Sequence, residues 1–280
     1  NAIQTVKGSE ADAKKGDFYL TLNSTDQGLD KEGYIMTIGD SVKIEAEEAT
    51  GAYWGVISAL QILKQNKTTI PKGITRDYPK YEVRGFMLDV GRKSFDFNTV
   101  KEFAKNMAWY KMNNFHLHLS DNLIFLEDYP TMQEAIDNAY AGFRLESAIP
   151  NLTSKDTYYT KDEFRSFIKD SRTMGVSIVP EFDMPAHALA ITRAFPSLMT
   201  KEAGGNHSYL IEELDIRKDG ALEAAKSVWA QYLDGNDPVF DKDTTVHIGT
   251  DEFHGNGGNE YFRSFSDSMI KYIQGTGRNV

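Results

Sequence analysis

Two neighbouring carboxylates, Asp251 and Glu252, follow an apolar run in the segment Val246-His-Ile-Gly-Thr-Asp-Glu252. Neighbouring carboxylates repel each other, so such a pair is expected to hold one proton more tightly than an isolated acid does. A protonated acid beside a charged carboxylate is the arrangement that cleaves a glycosidic bond. An Asp-Glu pair is also common on the surface of any acidic protein, and on its own it is more often structural.

A second candidate group is Asp183 with His187, in the segment Pro180-Glu-Phe-Asp-Met-Pro-Ala-His187. Asp183 ends an apolar run, and Pro185 fixes the turn that leads to the histidine. A histidine at this position can hydrogen-bond a catalytic carboxyl group. The alternative is an aspartate that caps a helix, followed by a solvated histidine.

A third group lies in Phe115-His-Leu-His-Leu-Ser-Asp121. In a strand the side chains of His116, His118 and Ser120 share one face, because successive residues point to opposite sides. A His-x-His pair can bind a metal, and a metal-dependent amidohydrolase would use both histidines as ligands. No supporting ligands are identifiable, so we favour histidines packed in the wall of a sheet and predict no metal. Asp121, at the end of this strand, is the better functional candidate.

Arg92 is the fourth candidate, in the segment Arg84-Gly-Phe-Met-Leu-Asp-Val-Gly-Arg92. Its guanidinium group can donate forked hydrogen bonds to two vicinal hydroxyl groups. An ion pair with Asp89 or another nearby carboxylate explains the residue equally well.

Composition excludes several classes of function. The chain has 280 residues, no cysteine and a net charge of −10, from 41 acidic and 31 basic side chains. This acidity disfavours nucleic acid as a partner, because phosphate backbones are repelled. The absence of cysteine excludes disulfides, thiolate catalysis and cysteine-bound metals. No apolar run approaches the roughly 20 residues that a membrane helix needs, so we expect no membrane span.

The elements that must position these residues fall into two groups. Residues 1–79 predict a small α/β domain, with strands at 17–23, 33–38 and 42–46 and a helix at 50–65. A Gly39-Asp40 turn joins the second and third strands as a hairpin. Prolines at 71 and 79 mark the exit, and we place a domain boundary near residue 79.

From residue 80 onward the pattern alternates between strand and helix. Strands are predicted at 83–90, 114–119, 176–183 and 244–250. Helices are predicted at 97–112, from Thr160 with a capping box at Glu163, at 219–233 and at 259–274. Repeated βα units predict a parallel sheet. We expect the first strand, which is largely apolar, to be covered on both faces.

Such a sheet commonly forms either a doubly wound sheet or an eight-fold barrel. A doubly wound sheet of the Rossmann type is disfavoured, because no glycine-rich phosphate-binding turn follows the first strand. The polar candidates instead follow the carboxyl ends of all four strands, where a (β/α)8 barrel keeps its chemistry. The predicted fold is therefore α/β: a small α+β domain, followed at 80–280 by the first half of a (β/α)8 TIM barrel, with strands 1–4 present and strands 5–8 missing.

Four units are half of a barrel, and the chain begins at Asn1 without a leader segment. We expect an N-terminal piece of a longer protein, or one partner of a split protein, in which a missing C-terminal segment completes the barrel. On this expectation the isolated chain is inactive.

Taken together, in this order and spacing, the four segments and Trp109-Tyr-Lys-Met-Asn113 resemble the family 20 glycoside hydrolases. These are the β-N-acetylhexosaminidases and their lacto-N-biosidase relatives. The resemblance covers about 80–280 and, more loosely, the preceding small domain. Ala186 and Thr250 stand where the family usually has glycine, and Asn122 replaces a frequent second aspartate.

The resemblance implies substrate-assisted catalysis by a retaining glycoside hydrolase. Glu252 would be the general acid, and Asp251 would orient the 2-acetamido group of the substrate, which attacks its own anomeric carbon. His187 and Asp121 would form a relay behind Glu252. Substrate would be bound by Arg92, Asp183 and His118. No metal or organic cofactor is implied.

The implied partners are glycans or glycoconjugates that end in β-linked N-acetylhexosamine. A lacto-N-biosidase, which releases a disaccharide by the same mechanism, is the alternative within the family, and a non-catalytic carbohydrate-binding domain is the alternative outside it. The aromatic insertion at 122–159 could roof the pocket or could be a scaffold. A polymeric substrate and the missing leader predict an extracellular or cell-surface location, and the lack of cysteine favours a bacterial source.

Overall fold

A computed structural model of the chain describes residues 3–26, 28–66, 69–200, 210–254 and 258–280. Their Cα positions form two compact units. The first reaches Arg84 and also includes Ala108–Met112 and Thr173–Gly175. The second comprises Gly85–Met107, Asn113–Arg172 and Val176–Val280. The boundary near residue 79 stays a prediction.

The first unit is a four-stranded sheet covered by one helix. Its elements are β1 (Phe18–Thr21), β2 (Tyr34–Ile38), β3 (Val42–Ala46), α1 (Ala49–Asn66) and β4 (Gly73–Asp77). The sheet order is β1-β3-β2-β4, with β1 parallel to β3 and the other pairs antiparallel. The predicted hairpin, strands and helix are confirmed. Strand β4 was not predicted, because Ile74 is its only large apolar residue and lies exposed.

The second unit carries the βα repeats. Its strands are β5 (Gly85–Asp89), β6 (Asn114–His118), β7 (Ser120–Leu123), β8 (Tyr140–Phe143) and β9 (Ser177–Glu181). Its helices are α2 (Phe97–Trp109), α3 (Met132–Asp137), α4 (Lys161–Thr173), α5 (Leu189–Ala194), α6 (Ala221–Leu233) and α7 (Gly258–Gly275). Strands β5, β6 and β9 form a parallel sheet in that order, as the repeat predicts.

The register of this sheet positions the site. Asp89 pairs with His118, and His118 pairs with Glu181, so the carboxyl ends of three strands lie level. Polar side chains that are distant in sequence therefore meet at one edge of the sheet.

The predicted fourth strand, 244–250, is wrong as a strand. A single parallel bridge joins His247 to Glu181, and the backbone N–H of His247 donates to the carbonyl of Pro180. The backbone then turns into the left-handed region at Gly249, with φ of 71°, and at Thr250, with φ of 95°. Extended structure cannot continue through these angles, so pairing stops after one residue. Among the described residues the parallel sheet therefore has three strands, β5, β6 and β9, and this bridge, not four strands.

Strand β5 also differs from expectation, since it is not covered on both faces. Phe86 is 40% exposed and Met87 is 52% exposed. The reason is that β5 is hydrogen-bonded along one edge only. The capping box of α4 is confirmed, because the Thr160 hydroxyl donates to Glu163 and accepts from its backbone N–H.

The insertion at 122–159 is a scaffold. Strands β7 and β8 form an antiparallel pair that includes its first residues. Arg144 is fully buried, donates to the carbonyl oxygens of Val90 and Gly91, and pairs with Asp156 at 2.7 Å. The insertion therefore braces the loop that follows β5.

An aromatic core lies beneath the site. Phe182 stacks on Phe143 with centroids 4.6 Å apart and meets Trp229 edge-on at 4.9 Å. Its neighbours in sequence, Glu181 and Asp183, are thereby held in place, because a close-packed ring cannot shift without displacing others. No helix among the described residues is long and apolar enough to cross a bilayer.

Candidate active site

The carboxylate of Glu181, the last residue of β9, is hydrogen-bonded to three histidines. Its Oε2 atom accepts from His116 Nε2 at 2.8 Å and from His118 Nδ1 at 2.6 Å. Its Oε1 atom lies 2.9 Å from His247 Nδ1. Burial opposes the charged carboxylate, but these hydrogen bonds outweigh burial and hold the pKa of Glu181 far below its usual range.

His118 links Glu181 to Asp121. Its second nitrogen, Nε2, lies 2.5 Å from Asp121 Oδ2. Burial disfavours the imidazolium, but hydrogen bonds to the two carboxylates prevail and raise the pKa of His118 to about 10. Both nitrogens are therefore engaged by protein carboxylates, which leaves neither for a sugar hydroxyl.

Asp121 is the meeting point of three cationic side chains. It is 1% exposed and contacts His118, the Arg92 guanidinium at 2.7 Å and His187 Nδ1 at 3.2 Å. Burial raises the pKa of Asp121, but the hydrogen bonds from His118 and His187 dominate and lower it to about 2. The sequence places Asp121 after a strand, whereas it lies within β7.

Arg92 lies in the loop after β5 and also pairs with Asp89. Its Nη1 atom is 2.9 Å from Asp89 Oδ2, and its backbone N–H donates to Asp89 Oδ1. The ion-pair interpretation of Arg92 is confirmed. Its side chain, 38% exposed, also lines the cavity described below, and its binding of sugar hydroxyls stays a prediction.

His187 connects Asp121 to the two acidic residues singled out first. Its Nε2 atom lies 3.2 Å from Glu252 Oε2 and 3.9 Å from Asp251 Oδ2. Neither contact is a hydrogen bond, and Nε2 has no hydrogen-bond partner among the described residues. Catalytic contacts are often loose before substrate binds. The hydrogen bond to Asp121 raises the pKa of His187 against the effect of burial.

Asp183 forms a second carboxyl pair, this time with Asp251. Asp183 is fully buried, and its Oδ1 atom accepts from the backbone N–H of Thr250 at 2.9 Å. Burial, followed by the adjacent Asp251 carboxyl group, raises the pKa of Asp183. Asp183 is therefore a site carboxyl group that burial and a neighbouring acid cause to hold its proton, and such a role for the Asp251–Glu252 pair stays a prediction.

Strained backbone concentrates at this site. His187, Thr250 and Glu252 have φ angles of 51°, 95° and 47°, in the left-handed region that non-glycine residues rarely adopt. The positive φ of Thr250 explains why glycine suits that position in the related family. Gly249 is indispensable for space, since a Cβ atom there would lie 1.9 Å from Asp183 Oδ1.

These side chains surround a cavity of about 430 Å³. Its lining comes from the carboxyl ends of the sheet strands and from the loop 249–251. The lining residues are Met87, Arg92, His116, His118, Asp121, Glu181, His247, Gly249, Thr250 and Asp251. Among the described residues, none from 122–159 lines this cavity. Glu252, the next residue, has a side chain that is 70% exposed.

Two family models match the chain in succession. The model described as glycosyl hydrolase family 20, catalytic domain, matches residues 81–271, and the model of that family's domain 2 matches residues 2–78. The chain belongs to glycosyl hydrolase family 20.

Three proteins illustrate what the chain is similar to. A β-hexosaminidase of Vibrio furnissii is 27% identical over 251 residues, which is 86% of this chain and 40% of that protein. A lacto-N-biosidase of Bifidobacterium bifidum is 24% identical over 98% of this chain and 24% of its own length. The solved β-N-acetylhexosaminidase of Streptomyces coelicolor A3(2) shares the fold, with a TM-score of 0.72 and 24% identity over 94% of this chain and 53% of that one. The chain thus spans about half the length of these relatives, or less.

The geometry brings together every residue predicted for this family 20 site. Arg92, His118, Asp121, Asp183, His187, Asp251 and Glu252 all lie in one connected network. Three acidic residues were missed, namely Glu181, Glu212 and Glu213. Glu181 stands in a quoted motif, and its position two residues before Asp183 on a strand puts both on one face.

Glu212 and Glu213 follow no motif that could have found them. Glu212 accepts from the side-chain amide of Asn122, the residue that departs from the family pattern. Glu213 is 1% exposed and accepts from the backbone N–H of His254 at 2.8 Å, which tethers the segment after Glu252. Burial raises the pKa of both carboxyl groups.

Several of these side chains are of the kinds that bind metals. His116, Glu181 and His247 bring ligand atoms within 4.8 Å of one another, as do Asp89, His118 and Asp121. In the first group both histidines hydrogen-bond Glu181, at 2.8 and 2.9 Å. In the second group His118 pairs with Asp121 at 2.5 Å, and Asp89 pairs with Arg92 at 2.9 Å. Hydrogen bonding therefore explains the cluster without a metal ion.

Proposed function

We propose that the protein hydrolyses glycosides that end in β-linked N-acetylhexosamine, with retention of configuration and with assistance from the substrate. One observation carries this proposal. Asp251 and Glu252 stand beside a cavity of monosaccharide scale, and His187, backed by Asp121 and Arg92, faces both acids. A domain that only bound sugar would have no use for such a relay.

In the first step the acetamido oxygen of the substrate attacks the anomeric carbon while the bond to the leaving oxygen breaks. Glu252 gives its proton to that oxygen, and Asp251 accepts a hydrogen bond from the acetamide N–H. The product of this step is an oxazolinium ion, whose positive charge the Asp251 carboxylate offsets.

In the second step water attacks the anomeric carbon from the face that the leaving group vacated. Glu252, now ionised, takes a proton from the water, and the oxazolinium ring opens to restore the acetamide. Two inversions give net retention. The internal nucleophile contributes a large effective molarity, because it is held next to its target.

Arg92 would donate to the C3 and C4 hydroxyl groups, and Asp183 would hold Asp251 in place. We assign His118 to the network behind Asp121 instead of to the substrate, because both of its nitrogens contact carboxylates. No cofactor enters this scheme.

A lacto-N-biosidase is the second candidate, favoured by a relative that matches 98% of this chain. It would use the same steps and would differ in the released fragment, a disaccharide. We also propose two domains, divided near residue 79, and an extracellular or cell-surface location, where such glycans occur. Product analysis on glycans that end in N-acetylhexosamine separates the two activities.

The acid role of Glu252 is tested with Glu252→Gln in the protein as the cell makes it. The variant cannot donate a proton, so hydrolysis of an unactivated glycoside should fall by about 10³-fold or more. The rate of hydrolysis of an activated aryl N-acetylglucosaminide should fall much less, because its leaving group needs no proton. Asp251→Asn should impair both substrates alike.

Glu163→Gln is the matched control, since it removes a carboxylate of the same type from a helix cap. It should leave both rates near the wild-type values. Equal losses for Glu252→Gln on the two substrates would refute the acid role.

A further inference from the structure

Glu181 is a buried carboxylate that the proposed reaction does not use. It is 4% exposed, and its contacts are histidines. A carboxylate is costly to bury, so its presence at the base of a catalytic cavity calls for a role.

The arrangement around His118 fixes a charge. A carboxylate only accepts hydrogen bonds, and His118 has one on each ring nitrogen, Asp121 at 2.5 Å and Glu181 at 2.6 Å. Both nitrogens must therefore carry hydrogen, which makes His118 an imidazolium.

From Glu181 a row of alternating acidic and basic side chains runs to Glu252. His118 separates Glu181 from Asp121, and His187 separates Asp121 from Glu252. The charged and titratable groups that face this row come from every surrounding segment. They are Asp89, Arg92, His116, Asp183, Glu212, Glu213, His247 and Asp251.

We propose that Glu181 is a positioning residue that, through His118 and Asp121, sets the orientation and charge of the relay that ends at Glu252. This inference rests on the proposed function and extends it. The carboxylate of Glu181 is engaged by three histidines and takes no part in the proposed bond changes, so its effect must appear as a change in the pH dependence of catalysis.

Removing the charge of Glu181 and removing the charge of His118 should shift the pH dependence of catalysis in opposite directions. Glu181→Gln removes a negative charge, which favours loss of protons nearby and moves the alkaline limb of kcat/KM to lower pH. His118→Gln removes a positive charge and moves that limb to higher pH. Each shift should be about 0.5–1 pH unit, the size expected for one charge at this range and at protein-like screening.

The experiment measures pH profiles of kcat/KM, on an unactivated N-acetylhexosaminide, for the full-length wild-type protein and five variants. Glu181→Gln and His118→Gln should shift the limb oppositely, and the double variant should return near wild type. Glu181→Asp, which keeps the charge, should rescue most of the shift. Glu163→Gln, the control, should not move the limb.

Three results would overturn the inference: a limb in Glu181→Gln that coincides with wild type, shifts of the same sign in both single variants, or no rescue by Glu181→Asp. Should Glu181→Gln fail to fold, His118→Gln and Glu181→Asp decide, and an unmoved limb in His118→Gln overturns it. The proposed function fails separately, when Glu252→Gln loses activity equally on activated and unactivated substrates.

Discussion

The Nε2 atom of His187 lies 3.2 Å from Oε2 of Glu252, and its Nδ1 atom lies 3.2 Å from Oδ1 of Asp121. The imidazole ring of His187 therefore lies between a buried acid, Asp121, and an exposed acid, Glu252. The buried acid keeps the ring charged and oriented, while the exposed acid is left accessible beside the cavity. This division places the proton donor where a sugar can reach it.

Arg92→Lys should weaken substrate binding more than it slows turnover. Lysine keeps the charge beside Asp89 and Asp121 but loses the planar fork that two vicinal hydroxyls need. We expect KM to rise about tenfold or more, with a smaller change in kcat. Arg165→Lys, on a surface ion pair, is the control. An unchanged KM with a large fall in kcat would contradict the binding role.

Asp183→Asn should be tolerated far better than Asp183→Ala. Burial and the Asp251 carboxyl group raise the pKa of Asp183, so its neutral form resembles asparagine at neutral pH. Asparagine can still accept from Thr250 N–H and can donate to Asp251, whereas alanine does neither. We expect a loss within about tenfold for asparagine and beyond about 100-fold for alanine, measured as kcat/KM. Equal losses would show that Asp183 must be ionised.

Gly249→Ala should destabilise the protein more than Gly235→Ala does. Both glycines have positive φ, 71° and 100°, so both variants incur the same kind of backbone strain of about 1 kcal/mol. At Gly235 a Cβ atom meets nothing within 4 Å, but at Gly249 it would lie 2.6 Å from the Cα of Asp183. Thermal melts should therefore show a larger fall in Tm for Gly249→Ala, with loss of activity. A smaller fall than for Gly235→Ala would contradict this packing.

His118 should stabilise the fold most in mildly acidic solution. Hydrogen bonds outweigh burial and raise the pKa of His118 from 6.5 to about 10, so its contribution is complete below pH 6.5 and is lost as pH rises toward 10. The pKa of Asp121 is lowered from 3.8 to about 2, so its contribution is complete above pH 3.8 and is lost as pH falls toward 2.

The difference in Tm between wild type and His118→Gln should therefore be largest between pH 3.8 and 6.5. It should shrink on both sides of this window. Circular dichroism melts across the pH range measure it. A difference that keeps growing above pH 8 would contradict the charged state of His118.

Much of the fold follows from local patterns. Helices α2, α4, α6 and α7 and strands β5, β6 and β9 all form where apolar periodicity predicts them. The wrong strand prediction and the missed strand share one cause: hydrogen-bonding partners from distant parts of the chain override the local preference of the sequence. Residues 244–250 are apolar enough for a strand but make one bridge, and the polar β4 pairs with β2 regardless of its sequence.

The sequence by itself determined which side chains are the candidates for chemistry and that they gather at one edge of a parallel sheet, because strand ends and residue types are local properties. It could not show that Asp251 shares its proton-holding environment with Asp183, or that Glu181 lies behind His118. Those relationships depend on the register of β5, β6 and β9 and on the left-handed turn at Gly249 and Thr250. Only the tertiary structure sets distance and burial between residues far apart in the chain, and distance and burial are what decide the charge on each group.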